Sequence, residues 1–230
     1  MAACAPTDAQ AKVDDGVMTD NDLAAMAAAL MQSRQTILPK RLVAPGPAAD
    51  QLGMILEAAA TAPDHGQLLP WRFVLVPQAA RPRLADVFGA ALMARDAAAT
   101  PEQLAQAREK AQRSPLLMLV VVDGQRGDAE IDLFERIVST GCAVQNMLLM
   151  ATALGYGSAL TSGKALKSPG LRTLFGLVEG EHALCFVSIG TVQSRRPARP
   201  RPVPRDFVTC LSGPGEAATG RDLAGFSYAF

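Results

Sequence analysis

The alternation of hydrophobic and polar positions is most regular between Ala129 and Leu154. It predicts one long helix there, about 39 Å in length at ~1.5 Å per residue. From Gly141 onward apolar residues occupy nearly every face, so we expect the second half of the helix to be core. Gly155 and Gly157 end the helix, and a strand should follow. The residues that recur at helical spacing are Ile131, Phe134, Val138, Cys142, Gln145, Leu149 and Thr152.

Membrane insertion is the competing interpretation of this apolar stretch. Gln145 and Asn146 interrupt it, and only about 14 residues are apolar, fewer than the roughly 20 that a span requires. We therefore expect the helix to be buried in protein.

Two further helices are predicted before this stretch. Asp20 or Asn21 can cap a helix that runs to Ser33, with one apolar side formed by Leu23, Met26, Leu30 and Met31. A proline-rich segment then forces extended chain. The second helix is predicted over 48–62, with Pro63 ending it.

The remaining elements alternate between strands and helices. Strands are predicted at 70–76, 116–122, 156–160 and 182–191, and helices at 79–95, 102–113 and 164–175. The continuous apolar run at 116–122 is typical of a strand buried on both faces. This order predicts an α+β or α/β protein with a small sheet covered by helices.

The two ends of the chain lack such periodicity. Residues 1–19 read as a mobile tail, and the Arg- and Pro-rich stretch from about 193 to 230 as an extended arm. We therefore predict one domain over 20–230.

The charge balance and the cysteines indicate which kinds of protein this chain can be. The 22 basic and 22 acidic residues cancel, which argues against a general binder of nucleic acid or membrane surfaces. The four cysteines show no CxxC pairing, and no targeting segment is visible, so we expect a reduced, cytoplasmic protein.

The sequence does not match the common nucleotide-binding and catalytic motifs in full. The stretch 155–160 begins like a dinucleotide fingerprint but lacks the third glycine, and 157–164 has one residue too many for a P-loop. With two histidines and no cysteine cluster, we predict no metal site. Cys142 lies among apolar neighbours as a small core residue, and no GxSxG elbow occurs.

Three polar stretches remain as candidate sites: 33–36, 63–67 and 160–164. The first combines the Arg34 guanidinium with hydroxyls, which can hold a phosphate by charge-assisted hydrogen bonds. On composition alone, a solvated helix end is the simpler interpretation of this stretch. His65 in the second stretch is either a surface-loop histidine or a ligand contact.

Four ordered motifs between Arg34 and Thr191 carry a family resemblance. They are R-Q-T-x-x-P-x-R-L-V-x-P-x-P, A-P-D-H-G-x-x-x-P-W-R-F, C-A-V-Q-N-M-L-L-M-A-x-A-L-G-Y-G and V-S-I-G-T. Together they resemble the FMN-dependent nitroreductase family. The most similar branch is the small bacterial one with Arg-Arg-Ser near the start and Ala-Pro-Asp-His before a Pro-Trp strand.

The resemblance implies a nitroreductase-like α+β fold with a small, mostly antiparallel sheet covered by helices. It also implies an intertwined homodimer with two FMN sites and the long central helix at the interface. The family's phosphate motif falls on Arg34, Gln35 and Thr36. His65 would contact the flavin of the other chain, and Arg195 or Arg196 would complete the phosphate site.

The ring-contacting positions of the family fall on Leu160, Thr161, Ser162 and Gly163. Near relatives have Trp-Arg-Ser or Trp-Arg-Thr before the glycine, so this chain lacks an indole and a positive charge there. Leu69 likewise takes the position of a family glutamine. Lys164 is a hypothetical substitute for the missing arginine.

The implied function is an FMN-dependent oxidoreductase. It would pass a hydride from NADH or NADPH through the flavin to a small electron-poor acceptor, such as a nitroaromatic or a quinone. The flavin carries this chemistry, so no catalytic side chain is assigned. Two alternatives stay open: a protein that stores or processes FMN without nitroreductase turnover, and a non-enzymatic dimeric interaction protein.

Overall fold

The computed structural model describes residues 19–209. Contacts divide the chain into two units, Met1–Arg195 and Arg196–Phe230. The sheet and the long helices belong to the first unit, and the described part of the second contains a short turn at Pro204–Asp206. The predicted tail, apart from Thr19, and the last 21 positions of the predicted arm, 210–230, lie outside the described residues. The single-domain prediction for 20–230 remains a prediction.

The described residues form one sheet in which every strand pair is antiparallel. Its strands are β1 (Leu42–Val43), β2 (Trp71–Leu75), β3 (Leu116–Asp123), β4 (Gly157–Thr161) and β5 (Glu181–Val192). Strand β5 is the longest and pairs with β1, β3 and β4, while β2 pairs with β3. This arrangement confirms the predicted small antiparallel sheet.

Helices cover both faces of the sheet. They are α1 (Asp20–Ser33), α2 (Ala49–Ala59), α3 (Arg81–Arg95), α4 (Pro101–Glu109), α5 (Leu133–Ala153) and α6 (Pro169–Phe175). Helices α2 and α5 pack on one face, where Met147 and Val187 are fully buried. Helices α3 and α6 pack on the other, against Phe186 and Leu119. Because both faces are covered, β3 is apolar at consecutive positions, as its sequence predicted.

The structure corrects several predicted boundaries. Helix α5 begins at Leu133, not Ala129, because the Asp132 carboxylate accepts hydrogen bonds from the backbone of the first turn at 2.7 and 3.0 Å. The predicted helix at 164–175 is broken at Ser168, whose hydroxyl caps α6. Helix α1 is capped by Thr19 in a capping box, not by Asp20 or Asn21. Helix α2 ends at Ala59, short of the predicted residue 62, and strand β1 in the proline-rich segment was not predicted.

The second half of the central helix is core, as predicted, whereas two apolar residues of its first half are exposed. The buried side of α5 carries Ala143, Met147 and Ala151, whereas Phe134 is 77% exposed and Val138 65%. Leu23, Met26 and Met31, the predicted apolar side of α1, are also exposed. The residues at the predicted helical spacing therefore range from exposed Phe134 and Val138 to half-buried Cys142 and Leu149.

None of the helices in the described part of the chain combines the length and the apolar character that crossing a membrane would require.

Candidate functional site

The predicted phosphate motif lies beside strand β4. Thr36 forms a parallel bridge with Ser158, and the backbone N–H of Ile37 donates to the Ser158 carbonyl at 2.9 Å. Two of the predicted stretches, Arg34–Thr36 and the one that follows Ala159, are therefore brought to the same edge of the sheet.

The parallel direction of this contact sets the order of the site. Arg34 lies toward the beginning of β4, and Leu38 lies toward Leu160. The step from Ser158 to Ser162 spans roughly 13 Å at about 3.3 Å per residue. One end of this edge thus carries a guanidinium and hydroxyls, and the other carries the predicted ring contacts.

A cavity of about 540 Å³ opens at the second end. Thr161, Ser162 and Gly163 line it where β4 ends, and Lys164 follows them. Leu160 is 45% exposed although it is a large apolar residue. Helices α3 and α4, the segment after α4 and the turn at Pro39–Arg41 supply the facing walls. The hypothesis that Lys164 replaces a missing arginine stays a prediction.

Arg195 follows the carboxyl end of β5. That strand ends at Val192, opposite Leu42, and the Gln193 N–H donates to the Arg41 carbonyl at 2.9 Å. Gly190 of β5 pairs with Gly157, so this end of β5 adjoins the beginning of β4 and the Thr36 bridge. Arg196 belongs to the second unit.

The loop that carries His65 has an unusual backbone. Gln67 (φ 51°), the last residue of the turn at His65–Gln67, and Leu69 (φ 48°) both adopt positive φ, which is uncommon outside glycine. A hydrogen bond of 2.7 Å from the Leu69 N–H to the Asp64 carboxylate stabilises this shape. Such strained residues cluster at functional sites, which makes the loop a candidate.

Glu135 fixes the orientation of the histidine. His65 Nδ1 lies 2.8 Å from Glu135 Oε2 on the first turn of α5. A carboxylate only accepts, so Nδ1 donates, and Nε2 has no partner among the residues that the structure describes. Sequence reasoning missed Glu135. Its only signal was an acid in the first turn of a helix, which macrodipole effects explain equally well.

Within one chain, His65 and Leu69 do not join the other predicted residues. Their loop leads into β2, which is separated from β4 by β3 and β5. Three strand spacings amount to roughly 14 Å across the sheet. The structure thus brings the phosphate motif and the end of β4 together and leaves the histidine loop apart from them.

Other chemistries find little support at this site. Among residues 19–209 no cluster of His, Cys, Asp or Glu could hold a metal ion. Burial raises the pKa of the Cys185 thiol to about 11, so it stays protonated at neutral pH and is a poor nucleophile.

The family of the protein follows from its similarity to known proteins. The model of the nitroreductase family matches residues 32–191. The chain belongs to the nitroreductase family. A Haemophilus influenzae relative with the provisional name NAD(P)H nitroreductase is 35% identical over 173 residues, which are 75% of this chain and 93% of the relative. This membership confirms the predicted family and makes the chain an oxidoreductase.

Solved structures confirm the nitroreductase-like fold. A nitroreductase-like family protein of Bacillus cereus superposes with a TM-score of 0.67 at 20% identity, over 81% of this chain and 96% of the other. The NADPH:FMN oxidoreductase of Vibrio harveyi, solved with NAD⁺, gives a TM-score of 0.63 at 16% identity, over 81% and 77% of the chains.

Proposed function

We propose that this nitroreductase-family protein binds FMN and passes electrons from NADH or NADPH to a small electron-poor acceptor, such as a nitroaromatic or a quinone. The observation that carries the proposal is the parallel bridge between Thr36 and Ser158. It brings the predicted phosphate motif beside the strand whose end carries the predicted ring contacts. The names of the Haemophilus and Vibrio proteins support the donor and the flavin.

The residues at this edge fit FMN. At the phosphate end, Arg34 and Thr36 offer charge-assisted and hydroxyl hydrogen bonds, and Arg195 adds a second cation. The buried hydroxyl of Ser158 there has no hydrogen-bond partner among the described residues. At the other end, Leu160 exposes apolar surface that a planar ring would cover.

Bound flavin would supply the hydride-accepting and hydride-donating atoms, so the protein needs no catalytic triad. The chain's residues would bind and orient it. Arg34 and Thr36 would hold the phosphate, and Thr161 and Ser162 would fix the ring edge by hydrogen bonds. Lys164 is the cation close to the ring contacts and would favour negative charge that develops there.

A homodimer would complete the site. Within one chain the His65 loop is about three strand spacings from β4. Glu135 attaches this loop to the same helix that exposes Phe134 and Val138. Pairing of two α5 helices through that apolar stripe would carry each His65 and Leu69 to the other chain's flavin. We also infer a cytoplasmic location, since Cys142 and Cys185 are free thiols.

The visible absorbance spectrum tests the function directly. We expect the purified protein to have a flavin spectrum that bleaches on anaerobic addition of NADH or NADPH and recovers with a nitroaromatic. A flavin that neither nucleotide reduces would contradict the oxidoreductase proposal and favour FMN storage. A protein that is colourless and takes up no added FMN would contradict the binding site itself.

Substitution of Arg34 tests the phosphate assignment. We expect Arg34→Ala to bind FMN about 10- to 150-fold more weakly, since a hydrogen bond to a charged group is worth about 1.5–3 kcal/mol. Arg83→Ala, an exposed arginine on α3, is the matched control and should keep wild-type affinity. Fluorescence titration of FMN measures both. Equal affinity in the two variants would contradict the assignment.

A further inference from the structure

The cavity at the end of β4 is lined by positive charge. Among the described residues that line it, five are basic and none is acidic. They come from four parts of the chain: Lys40, Arg95, Lys110 with Arg113, and Lys164. The proposed flavin site uses only Lys164 of this set, so the other four call for a separate explanation.

In the described part of the chain, four of these five cations form no ion pair. Arg113 pairs with Glu109, its Nε lying 2.6 Å from the carboxylate. Within residues 19–209, no carboxylate forms an ion pair with Lys40, Arg95, Lys110 or Lys164. Like charges that share a concave, partly apolar site focus a positive potential and attract anions. The cavity is therefore suited to a negatively charged ligand.

The floor of the cavity holds an unsatisfied hydroxyl. Ser188, in the middle of β5, is only 1% exposed, and its Oγ has no hydrogen-bond partner among the described residues. Buried polar groups are nearly always paired in native proteins. Because Ser188 also lines the cavity, a ligand oxygen would satisfy this hydroxyl.

The rest of the wall is apolar and partly aromatic. Phe88 and Phe186 meet edge to face, with ring centroids 5.8 Å apart, and Leu92 lies beside them in the lining. Such a wall favours a planar hydrocarbon body over a bare inorganic ion. The cavity thus combines an aromatic wall, a set of cations and one buried hydroxyl.

We propose that this cavity binds an electron acceptor that is planar and anionic, an aromatic compound that carries a carboxylate or a phosphate. The anionic group would lie among Lys40, Arg95 and Lys110, and Ser188 would donate a hydrogen bond to it. The proposal rests on the proposed function, because the cavity opens at Thr161 and Ser162, the predicted ring contacts. It adds a charge requirement to the choice of acceptor.

A matched pair of ligands isolates the charge. The acid 4-nitrobenzoate and the neutral 4-nitrobenzamide share the same nitroarene. Calorimetric titration of the purified protein should give at least roughly tenfold tighter binding of the acid at low salt. The gap should close at high salt, since the screening length falls from about 10 Å at 0.1 M to about 3 Å at 1 M. Equal affinities at low salt would overturn the proposal.

Substitution of single cavity cations by glutamine tests which residues hold the anionic group. Lys110→Gln and Arg95→Gln should each reduce the preference for the acid about two- to fivefold, as expected for partly solvated charges. Lys167→Gln is the matched control, because Lys167 is exposed on the same turn as Lys164 but does not line the cavity. A loss of preference in the control that equals the loss in the cavity variants would contradict a defined site.

Steady-state kinetics distinguish an anionic acceptor from NADPH and FMN as the ligand of these cations. Each reduction consumes 4-nitrobenzoate, one NADPH and one proton and yields 4-nitrosobenzoate, NADP⁺ and water. The cavity variants should lower kcat/KM for the acid relative to the amide. If they instead raise KM for NADPH alone, the cations bind the donor's phosphate, and if they weaken FMN binding, they serve the flavin. Either result would overturn the acceptor assignment.

The binding experiment also separates this inference from the proposed function. If the protein contains no FMN and takes none up, turnover fails and the proposed function falls. The titration with 4-nitrobenzoate and 4-nitrobenzamide still reports on the cavity by itself. A preserved preference for the acid that falls about two- to fivefold in Lys110→Gln would support the anion site in that case.

Discussion

The two faces of the central sheet use neighbouring residues for different purposes. On the α2 and α5 face, Val187 and Met147 are fully buried in a closed apolar core. On the α3 and α6 face, part of the sheet is equally well packed, but Ser188 contributes the floor of an open cavity lined by cations. Since side chains alternate along a strand, one step along β5 changes the role from packing to ligand contact.

The helices on the two faces also differ in what they leave uncovered. Helix α5 buries one side against the sheet and leaves Phe134 and Val138 open on the other, whereas α3 and α4 border a cavity within the chain. One side of the protein thus exposes the apolar residues of the proposed dimer interface, and the other borders the cavity of the proposed ligand site. Four substitution experiments test whether the two faces differ in this way.

The largest effect is expected for charge placed on the open stripe of α5. Val138→Glu should weaken self-association by about 2–4 kcal/mol, or roughly 30- to 1,000-fold in Kd, if two stripes pack together as proposed. Val178→Glu is the matched control, since Val178 is 63% exposed and Val138 is 65% exposed. Sedimentation velocity over a range of protein concentrations measures the change. Dimers that persist in Val138→Glu would contradict the proposed interface.

Adjacent positions of β5 test the contrast between the faces. Val187→Ala should lower the free energy of unfolding by about 1.5–3 kcal/mol, because it removes fully buried apolar volume. Ser188→Ala should be neutral or slightly stabilising, because it removes a buried hydroxyl without a partner in the described chain. Urea denaturation measures both. Comparable destabilisation by the two variants would mean that Ser188 belongs to the packed core and not to a binding site.

Much of the fold could be predicted from the sequence, because its signals lie in residues that are close together along the chain. The apolar run of β3 and the helical spacing of α5 are encoded in consecutive residues, and Gly155 marked the end of that helix. The predicted core position of the second half of α5 is confirmed at Ala143, Met147 and Ala151. Because apolar residues occupy nearly every face there, the sequence does not single out the buried side, and only the packing of α2 and the sheet determines it.

The site was predictable only in part. Motif resemblance proposed Arg34–Thr36 and 160–163, and the structure brings these stretches to one edge. The contact between His65 and Glu135 joins residues 70 positions apart, and the cationic cavity gathers side chains from Lys40 to Lys164. Neither has a local sequence signal, since each depends on tertiary packing of segments that look like ordinary solvated surface.

An ion pair on the α3 and α6 face predicts a pH dependence. Arg72 donates two hydrogen bonds to Glu181, at 2.6 and 2.8 Å, across the intervening strand β3. The Arg72 guanidinium lowers the pKa of Glu181 below its usual 4.5. The stabilisation is therefore complete above that usual value and is lost as the pH falls through the lowered pKa.

Glu181→Gln should accordingly cost about 1–2 kcal/mol at neutral pH, less than a fully buried pair because Arg72 is partly solvated. The difference from wild type should shrink as the pH falls below the usual glutamate pKa. Urea denaturation at a series of pH values measures it. A difference that is constant with pH would mean that shape, and not charge, determines the contribution of this residue.

The smallest effect concerns the N-cap of α5, the helix that packs on the sheet and exposes Phe134 and Val138. Asp132→Ala should destabilise the protein by about 1 kcal/mol, because two backbone N–H groups lose their acceptor. Asp132→Asn keeps a capping oxygen and should stay close to wild type, which separates the hydrogen bonds from the charge.

Hydrogen exchange shows where along α5 the loss of the cap is felt. In Asp132→Ala, faster exchange should be confined to the first turn, which carries Glu135 and its contact with His65, while the amides around Met147 remain protected by the core. If protection instead falls along the whole helix, the exposed first turns and the packed end of α5 form one cooperative unit.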